Sequence, residues 1–333
     1  MRQEKIRRLV SIALLLVLVI VFGTTSEYFF TTTNILTLLR ECSVVGIISV
    51  GVSFIIITAG IDLSTGAIVG FTAMICANLL YYTNMPAQMI IVIALLIGTL
   101  AGYLNGILVT KLRLPDFIAT LSTQFLFRGL ALICAIRTSG VITNKVIDNR
   151  GILVMGGSIS GLYLVTIVFI IVAVLGQIIL KKTQLGVYTY ATGANRKSAE
   201  LSGIDTDKVK RSVFTITGFC CGIAAIFLMA KLGSVTPDTG TGLEFEVIAA
   251  VVVGGCAFSG GRGDIFGSVI GALFMAILSN GILKYNLPTA TQLIVKGSVI
   301  VIMVVFDSLY NGYMEKKIRE KSKELEELSG GEA

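Results

Sequence analysis

"VVGIISVGVSFIIITAGIDLSTG", residues 44–66, is the stretch whose reading decides the fold. Its apolar run, extended back to Cys42, places a helix over 42–60 of the length that crosses a bilayer, about 20 mostly apolar residues. The run ends on a charge, Asp62, followed by Leu-Ser-Thr-Gly. Much further on, "TPDTGTG" at 236–242 repeats the theme, with Asp238 followed by Thr-Gly-Thr-Gly. Both motifs stand just before a predicted helix, where free N–H groups need acceptors. Asp, Ser and Thr supply them, and a negative charge suits the positive helix end.

Composition sets the solvent. Of 333 residues, 54% are hydrophobic and 14% charged, against roughly 45–50% and 25% in an average soluble domain. With a mean hydropathy of +0.88, the natural surroundings are lipid and the expected class is an all-α membrane protein. Cys42, Cys76, Cys134, Cys220, Cys221 and Cys256 are scattered through apolar runs without metal-ligand spacing and read as small buried hydrophobes. There is no histidine, no nucleophile-and-base pair and no metal cluster, which argues against an enzyme. "MRQEKIRRLVSIALLLVLVIVF" imitates a signal peptide but lacks a small-residue cleavage site, so it reads as a retained first span.

About ten spans are expected, near 9–25, 42–60, 64–83, 86–110, 117–136, 161–180, 212–230, 245–258, 264–283 and 291–307. The eighth, "VIAAVVVGGCAFSGG", is short and glycine-rich. With both termini in the cytoplasm, Arg2, Lys5, Arg7, Arg8, Lys111, Arg113, Lys181, Lys182, Arg196, Lys197, Lys208, Lys210, Arg211, Arg262 and the basic residues of the tail fall inside. Only Arg40, Arg137, Lys145, Arg150, Lys231 and Lys284 fall outside. That asymmetry fixes the orientation. It also accounts for the net charge of +7 without any nucleic-acid partner. "SEYFFTTTNILTLLREC", 26–42, is expected as an amphipathic stretch at the outer interface. The charged tail 315–333 reads as a cytoplasmic surface extension.

The aspartate motifs belong to a larger echo. "NGIL" occurs at 105–108 and 280–283, and Leu-Pro follows at 114–115 and 287–288. The separations of Asp62 from Asp238, Asn105 from Asn280 and Leu114 from Leu287 are 176, 175 and 173 residues. Three landmarks at nearly one offset indicate duplication, with a first repeat near 42–136 and a second near 212–307. Five spans lie between the copies, so the second enters the bilayer upside down, with Asp62 at the cytoplasmic mouth and Asp238 at the outer one. Inverted repeats of this kind build transporters. Gly66 with Gly70, and Gly267 with Gly271, are placed for close helix packing.

"GIDLSTG", "NGILVTKLRLPDFIATL", "ATGANRKSAELSGI", "GTGLEFEVIAAVVVGG" and "SGGRGDIFGSVIGAL", in that order, resemble the permease subunits of bacterial ABC importers of the ribose, galactose and xylose type. The resemblance implies a multi-pass permease domain over 1–333 in the bacterial inner membrane and a second permease copy, most simply a homodimer. It also implies cytoplasmic ATP-binding subunits and an extracytoplasmic sugar-binding protein. No G-x-x-x-x-G-K-[ST] loop is present, and "GGRGDIFGS" lacks the lysine, so no cofactor is expected on this chain and ATP is expected on the partner. That absence fits a secondary transporter or a passive channel equally well.

The longest polar insert, 181–211, contains "NRKSAELSGID", a short helix with Asn195 as cap, Ala199 and Leu201 as packing positions and Gly203 as stop. The resemblance makes it the helix that contacts the ATPase, through Gly193, Asn195, Ala199, Leu201, Ser202, Gly203 and Ile204. Residue chemistry alone reads it equally as a solvated interfacial helix. For the translocation path or gate, a sugar needs hydroxyl, amide and aromatic groups. Asp62, Ser64, Asn105, Phe117, Thr120, Ser122, Gln124, Asp238 and Asn280 are the candidates. The Ser, Thr and Gln among them serve equally well as bonds between packed helices. Arg128 lies mid-span, must face protein or water, and has Glu244 or Glu246 as possible partners.

Overall fold

The computed structural model describes residues 2–83, 85–136, 144–285, 288, 290–299, 301–302 and 305, with side chains described from residue 11 onward. The chain divides into a unit over 1–286 and a second over 287–333. In the second, residues 290–299 and 301–302 are helical, beginning one residue before the tenth expected span, and the tail 315–333 lies outside the described residues.

The first unit is built from helices α1 (Arg2–Thr25), α2 (Thr32–Ile57), α3 (Thr65–Tyr82), α4 (Ala87–Thr110) and α5 (Asp116–Ala135). A short excursion follows: β1 (Lys145–Val146), α6 (Arg150–Met155), β2 (Ser158–Ile159) and β3 (Leu162–Tyr163). Then come α7 (Leu164–Lys182), α8 (Gln184–Ala194), α9 (Arg196–Leu201), α10 (Thr206–Leu232), β4 (Ser234–Val235), α11 (Leu243–Val253) and α12 (Ile265–Lys284). Among the described residues seven helices are long and apolar enough to cross a membrane: α2, α3, α4, α5, α7, α10 and α12. The chain is an all-α membrane protein whose strands are two-residue clips, β1 with β4 and β2 with β3.

Two expected elements take a different form. The second span begins earlier than expected, inside the 26–42 stretch: residues 26–31 turn, and α2 then runs unbroken from Thr32. Thr31 Oγ1 caps it by accepting the Asn34 N–H at 3.4 Å. The eighth expected span, 245–258, is not one membrane-length helix. Helix α11 has 11 residues, about 16 Å at 1.5 Å per residue against a hydrocarbon core of about 30 Å. Gly255, at φ 94°, ends it, with the Cys256 N–H donating to the Val251 carbonyl at 3.1 Å in a left-handed helix stop. The segment is therefore broken: turns through 237–242, helical to Val253, irregular through 254–264.

Helix α2 is buried on every side from Cys42 to Ile57, the mark of a central helix. It lies antiparallel to α10: Lys231 Nζ meets Glu41 Oε2 at 2.6 Å, and Gly51 abuts Thr217 further along. The α4–α10 contact is close, because glycines face each other. A Cβ on Gly98 would come within 2.3 Å of the Gly218 carbonyl, and one on Gly218 within 2.2 Å of the Gly98 carbonyl. Dispersion and backbone approach replace the hydrophobic effect as the force between helices in lipid. Gly267 and Gly271 pack as expected, against Gly254 and Ala250 of the α11 region. Gly66 and Gly70 instead receive a run of turns, the Thr239 and Gly240 carbonyls, and Glu244.

Helix α10 packs on α3 and α4, while α2 packs on α11 and α12. Helices α10, α11 and α12 begin 174, 178 and 178 residues after α2, α3 and α4. Helix α2 thus grips α11 and α12, and α10 grips α3 and α4.

Candidate functional site: a polar seam along α3 and a short helix at one end

The polar residues expected along a path separate into groups. At the start of α3, Asp62, Ser64 and Asn105 come together, all buried. Asp62 Oδ1 accepts the Ser64 N–H at 2.8 Å and the Ser64 hydroxyl at 2.6 Å, while Asn105 Nδ2 donates to Ser64 Oγ at 2.7 Å. Asp62 therefore fixes the residue before the helix, and Ser64, the N-cap, makes no side-chain cap bond. Thr120 Oγ1 donates to the Asp116 carbonyl at 2.8 Å, the ordinary use of a threonine inside its own helix.

Beside this group lies a pair that sequence reasoning missed. Lys210 Nζ on α10 binds both oxygens of Asp116 on α5, at 2.9 and 2.7 Å, with side chains only 10% and 15% exposed. Lys210 sits in a basic run that reads as a solvated face, and its partner is 94 residues away. The available signal was Asp116 itself, a carboxylate directly after Leu-Pro at the mouth of an apolar span.

Further along α3 the broken segment is held from α5. Arg128 Nη1 donates to the Pro237 and Thr239 carbonyls at 3.1 and 2.7 Å. Gln124 Nε2 donates to Glu244 Oε1 at 3.1 Å. The guanidinium thus satisfies backbone that an unbroken helix would have satisfied internally, the requirement for irregular chain at membrane depth. Asp238 is not at the end of the bundle opposite Asp62, since its neighbours are tied to mid-α5 and to Gly70. It also caps no helix. The N-cap of α11 is Gly242, and the Asp238 carbonyl accepts the Thr241 N–H in a turn at 3.0 Å. Phe117 and Ser122 face out of the isolated chain on the other side of α5. Asn280 lies near the end of α12, and its Oδ1 has no partner among the described residues.

The polar insert folds as α8 and α9. Asn195 caps α9 by accepting the Ser198 N–H at 3.0 Å. The chain stops at Gly203, φ 82°, with the Ile204 N–H returning to the Ala199 carbonyl at 3.0 Å. Arg196 bridges Glu200 at 2.9 Å and Asp207 at 2.6 Å. The Thr206 hydroxyl donates to Glu200 at 2.7 Å, and it, with Arg196, holds the Glu200 carboxyl below its ordinary value. Ala199 anchors the helix by burial, whereas Leu201, expected to pack, is 90% exposed. Gly193 is buried under the end of α2: a Cβ there would lie 1.7 Å from the Ile57 carbonyl, which already accepts the Gly261 N–H at 2.8 Å. The glycines of "SGGRGD" serve this three-way backbone contact, with Gly260 against Ala59 and the Gly193 carbonyl.

A groove of 740 Å³ separates α9 from the α4–α5 turn, lined by Arg113, Asp116, Arg196, Lys197, Glu200 and Asp207 among others. Among the described residues no group of three or more His, Cys, Asp and Glu is placed to hold a metal ion. Replacing Asn195 with alanine is expected to lower stability by about 1 kcal/mol and to fray α9 first. Faster hydrogen exchange at residues 196–201 than in α10 checks it.

Residues 34–304 match the family model described as "Branched-chain amino acid transport system / permease component". The ribose import permease protein RbsC of Haemophilus influenzae is 37% identical over 297 residues, 88% of this chain and 91% of that protein. The D-allose transport system permease protein AlsC of Escherichia coli is 36% identical, covering 89% and 90%. The xylose transport system permease protein XylH of Haemophilus influenzae is 31% identical, covering 83% and 88%. No solved structure matches the chain.

Proposed function

The chain belongs to the branched-chain amino acid transport system permease-component family, and on that premise we propose that it is the membrane-spanning subunit of an ABC importer for a monosaccharide, ribose-like before others. The observation that carries this is 36–37% identity, over about nine-tenths of the chain, to proteins named as ribose and allose permeases. The protein is a transport subunit rather than an enzyme. ATP is hydrolysed on a separate cytoplasmic subunit, an extracytoplasmic binding protein delivers the sugar, and a second permease copy completes the path. The chain is a multi-pass protein of the bacterial inner membrane, with both termini cytoplasmic.

We read ten crossings as an inverted repeat, near 42–136 and 212–307, with the eighth crossing broken. The antiparallel α2 and α10, and their exchanged packing on α11–α12 and α3–α4, support it. Two inverted halves can trade an inward-open for an outward-open form. Asp62, Ser64 and Asn105 then stand at the cytoplasmic mouth beside the insert 181–211. Within that insert α9 is the contact for the ATPase. Its cap, its ion pairs and buried Ala199 hold it rigid while it presents Leu201, an apolar anchor for a partner's groove. Asn195, Ser202, Gly203 and Ile204 shape that tip. Gly193 transmits its movement by direct contact with the end of α2 and the loop that closes the broken crossing.

Leu201→Asp tests this. The variant is expected to fold and insert as the parent does, because the side chain touches little of its own chain, yet to retain less than about a tenth of the ATP-binding subunit in co-purification, a loss of about 1.4 kcal/mol or more. Undiminished co-purification would count against α9 as the contact. Gly203→Arg also blocks the tip, but φ 82° adds backbone strain to the steric effect.

A further inference from the structure

We propose that Arg128 and Glu244, positioned by Gln124, form a subsite inside the membrane for the hydroxyl groups of a passing neutral sugar, and that this structure holds the subsite shut. The inference rests on the import reading above and gives it a location. Each residue has one polar atom engaged and one spare. Arg128 Nη1 is bonded to the Pro237 and Thr239 carbonyls while Nη2 has no partner. Glu244 Oε1 is bonded to Gln124 and the carboxylate lies against the backbone N–H groups of Gly242 and Glu244, while Oε2 makes no well-formed hydrogen bond. Both spare atoms are sealed from solvent.

The two lie close together along α3. A Cβ at Gly66 would meet Glu244 Oε2, and one at Gly70 would meet Arg128 Nη1 at 2.8 Å. Those glycines are one helical turn apart, about 6 Å. A charged group buried with an unused hydrogen-bonding atom destabilises the state that holds it so, and more so in lipid. Such a pair is explained when another state of the protein uses it.

The chemistry selects the ligand. The spare guanidinium N–H donates and the spare carboxylate oxygen accepts. A hydroxyl does both, and two neighbouring sugar hydroxyls can span the pair. A lone cation or anion gains at one member of the pair what it loses at the other, a zwitterion would match both, and, among the solutes that fit, the import reading selects the neutral polyhydroxyl class. The covering piece is 236–242, whose Gly240 and Gly242 lie at φ 80° and 84° and whose continuation reaches the loop packed against Gly193. Swinging it aside exposes both atoms.

The test uses the complete importer in proteoliposomes and, in parallel, the purified permease in nanodiscs, with D-ribose as probe. Glu244→Gln is expected to lower sugar moved per ATP hydrolysed about tenfold at saturating sugar, the loss of one charge-assisted hydrogen bond. Affinity of the binding protein should be unchanged. Wild-type permease should give a saturation-transfer NMR signal with ribose, weaker with a pentose analogue lacking one hydroxyl and absent with cyclopentanol. If Glu244→Gln does not fold, the analogue series on wild-type protein decides. Equal coupling in the variant, or no signal from ribose, overturns the subsite. A wild-type importer that moves no sugar overturns the import reading itself.

Discussion

Gly193→Val is expected to reduce the yield of folded protein to a small fraction of the parent's, and to lower the stability of what remains by about 4 kcal/mol. The residue has no unusual φ, so conformational freedom is not the reason. The space is taken: a Cβ would lie 1.7 Å from the Ile57 carbonyl and 2.6 Å from the Gly261 N–H nitrogen. Those two atoms are bonded to each other at 2.8 Å. Valine must push them apart, adding overpacking of about 1–3 kcal/mol to a buried broken backbone bond of about 1–3 kcal/mol. Gly203→Val is the control. Nothing lies within 4 Å of that site, so only the cost of a positive φ, about 1–2 kcal/mol, applies. Thermal unfolding in detergent, read by size-exclusion chromatography, separates the two. Equal losses would mean that Gly193 acts through backbone conformation and not through contact.

Lys210→Met should be nearly as damaging. It leaves the Asp116 carboxylate at a site 15% exposed, with its cation gone. Breaking a buried pair from one side costs about 3–5 kcal/mol, because the remaining charge is uncompensated. Adding Asp116→Asn removes that charge, and the double variant is expected to regain at least about half of the loss. The double-mutant cycle is the measurement. Additive losses from Asp116→Asn and Lys210→Met would show that the two do not act as a pair. The expected effect on transport follows the same bond, since it ties the first turn of α10, just after α9, to the start of α5.

How far the sequence carried the reading differs by kind of feature. Helices α3, α4, α5, α7 and α12 were legible to within a few residues, because a run of about 20 apolar residues has few options in lipid. The start of α2 at Thr32 was not legible, because the amphipathic pattern of 26–42 looks the same on a stretch outside a span and on the first turns of the span itself. The eighth segment misled because hydropathy reports side chains, while the break at Gly255 is a backbone event. Among site residues, Asp62, Ser64 and Asn105 were each marked by a motif, but no motif says that they touch. Lys210 with Asp116, and Arg128 with the Pro237 and Thr239 carbonyls, are pairings across about 94 to 111 positions, set by packing alone. Leu201 reads from sequence as a packing position, because an apolar side chain on a short helix usually is one, yet it is exposed. Its exposure is a property of the fold and, on the proposed function, of the partner it awaits.

The account stands on a passage in this chain and a motor on another. The most direct measurement is uptake of radiolabelled ribose into proteoliposomes of defined content. Uptake is predicted only when the permease, its ATP-binding subunit, the binding protein and ATP are all present, and none is predicted for the permease alone under a sodium or proton gradient. Gradient-driven accumulation by the purified permease, with no ATP-binding subunit in the membrane, would contradict it.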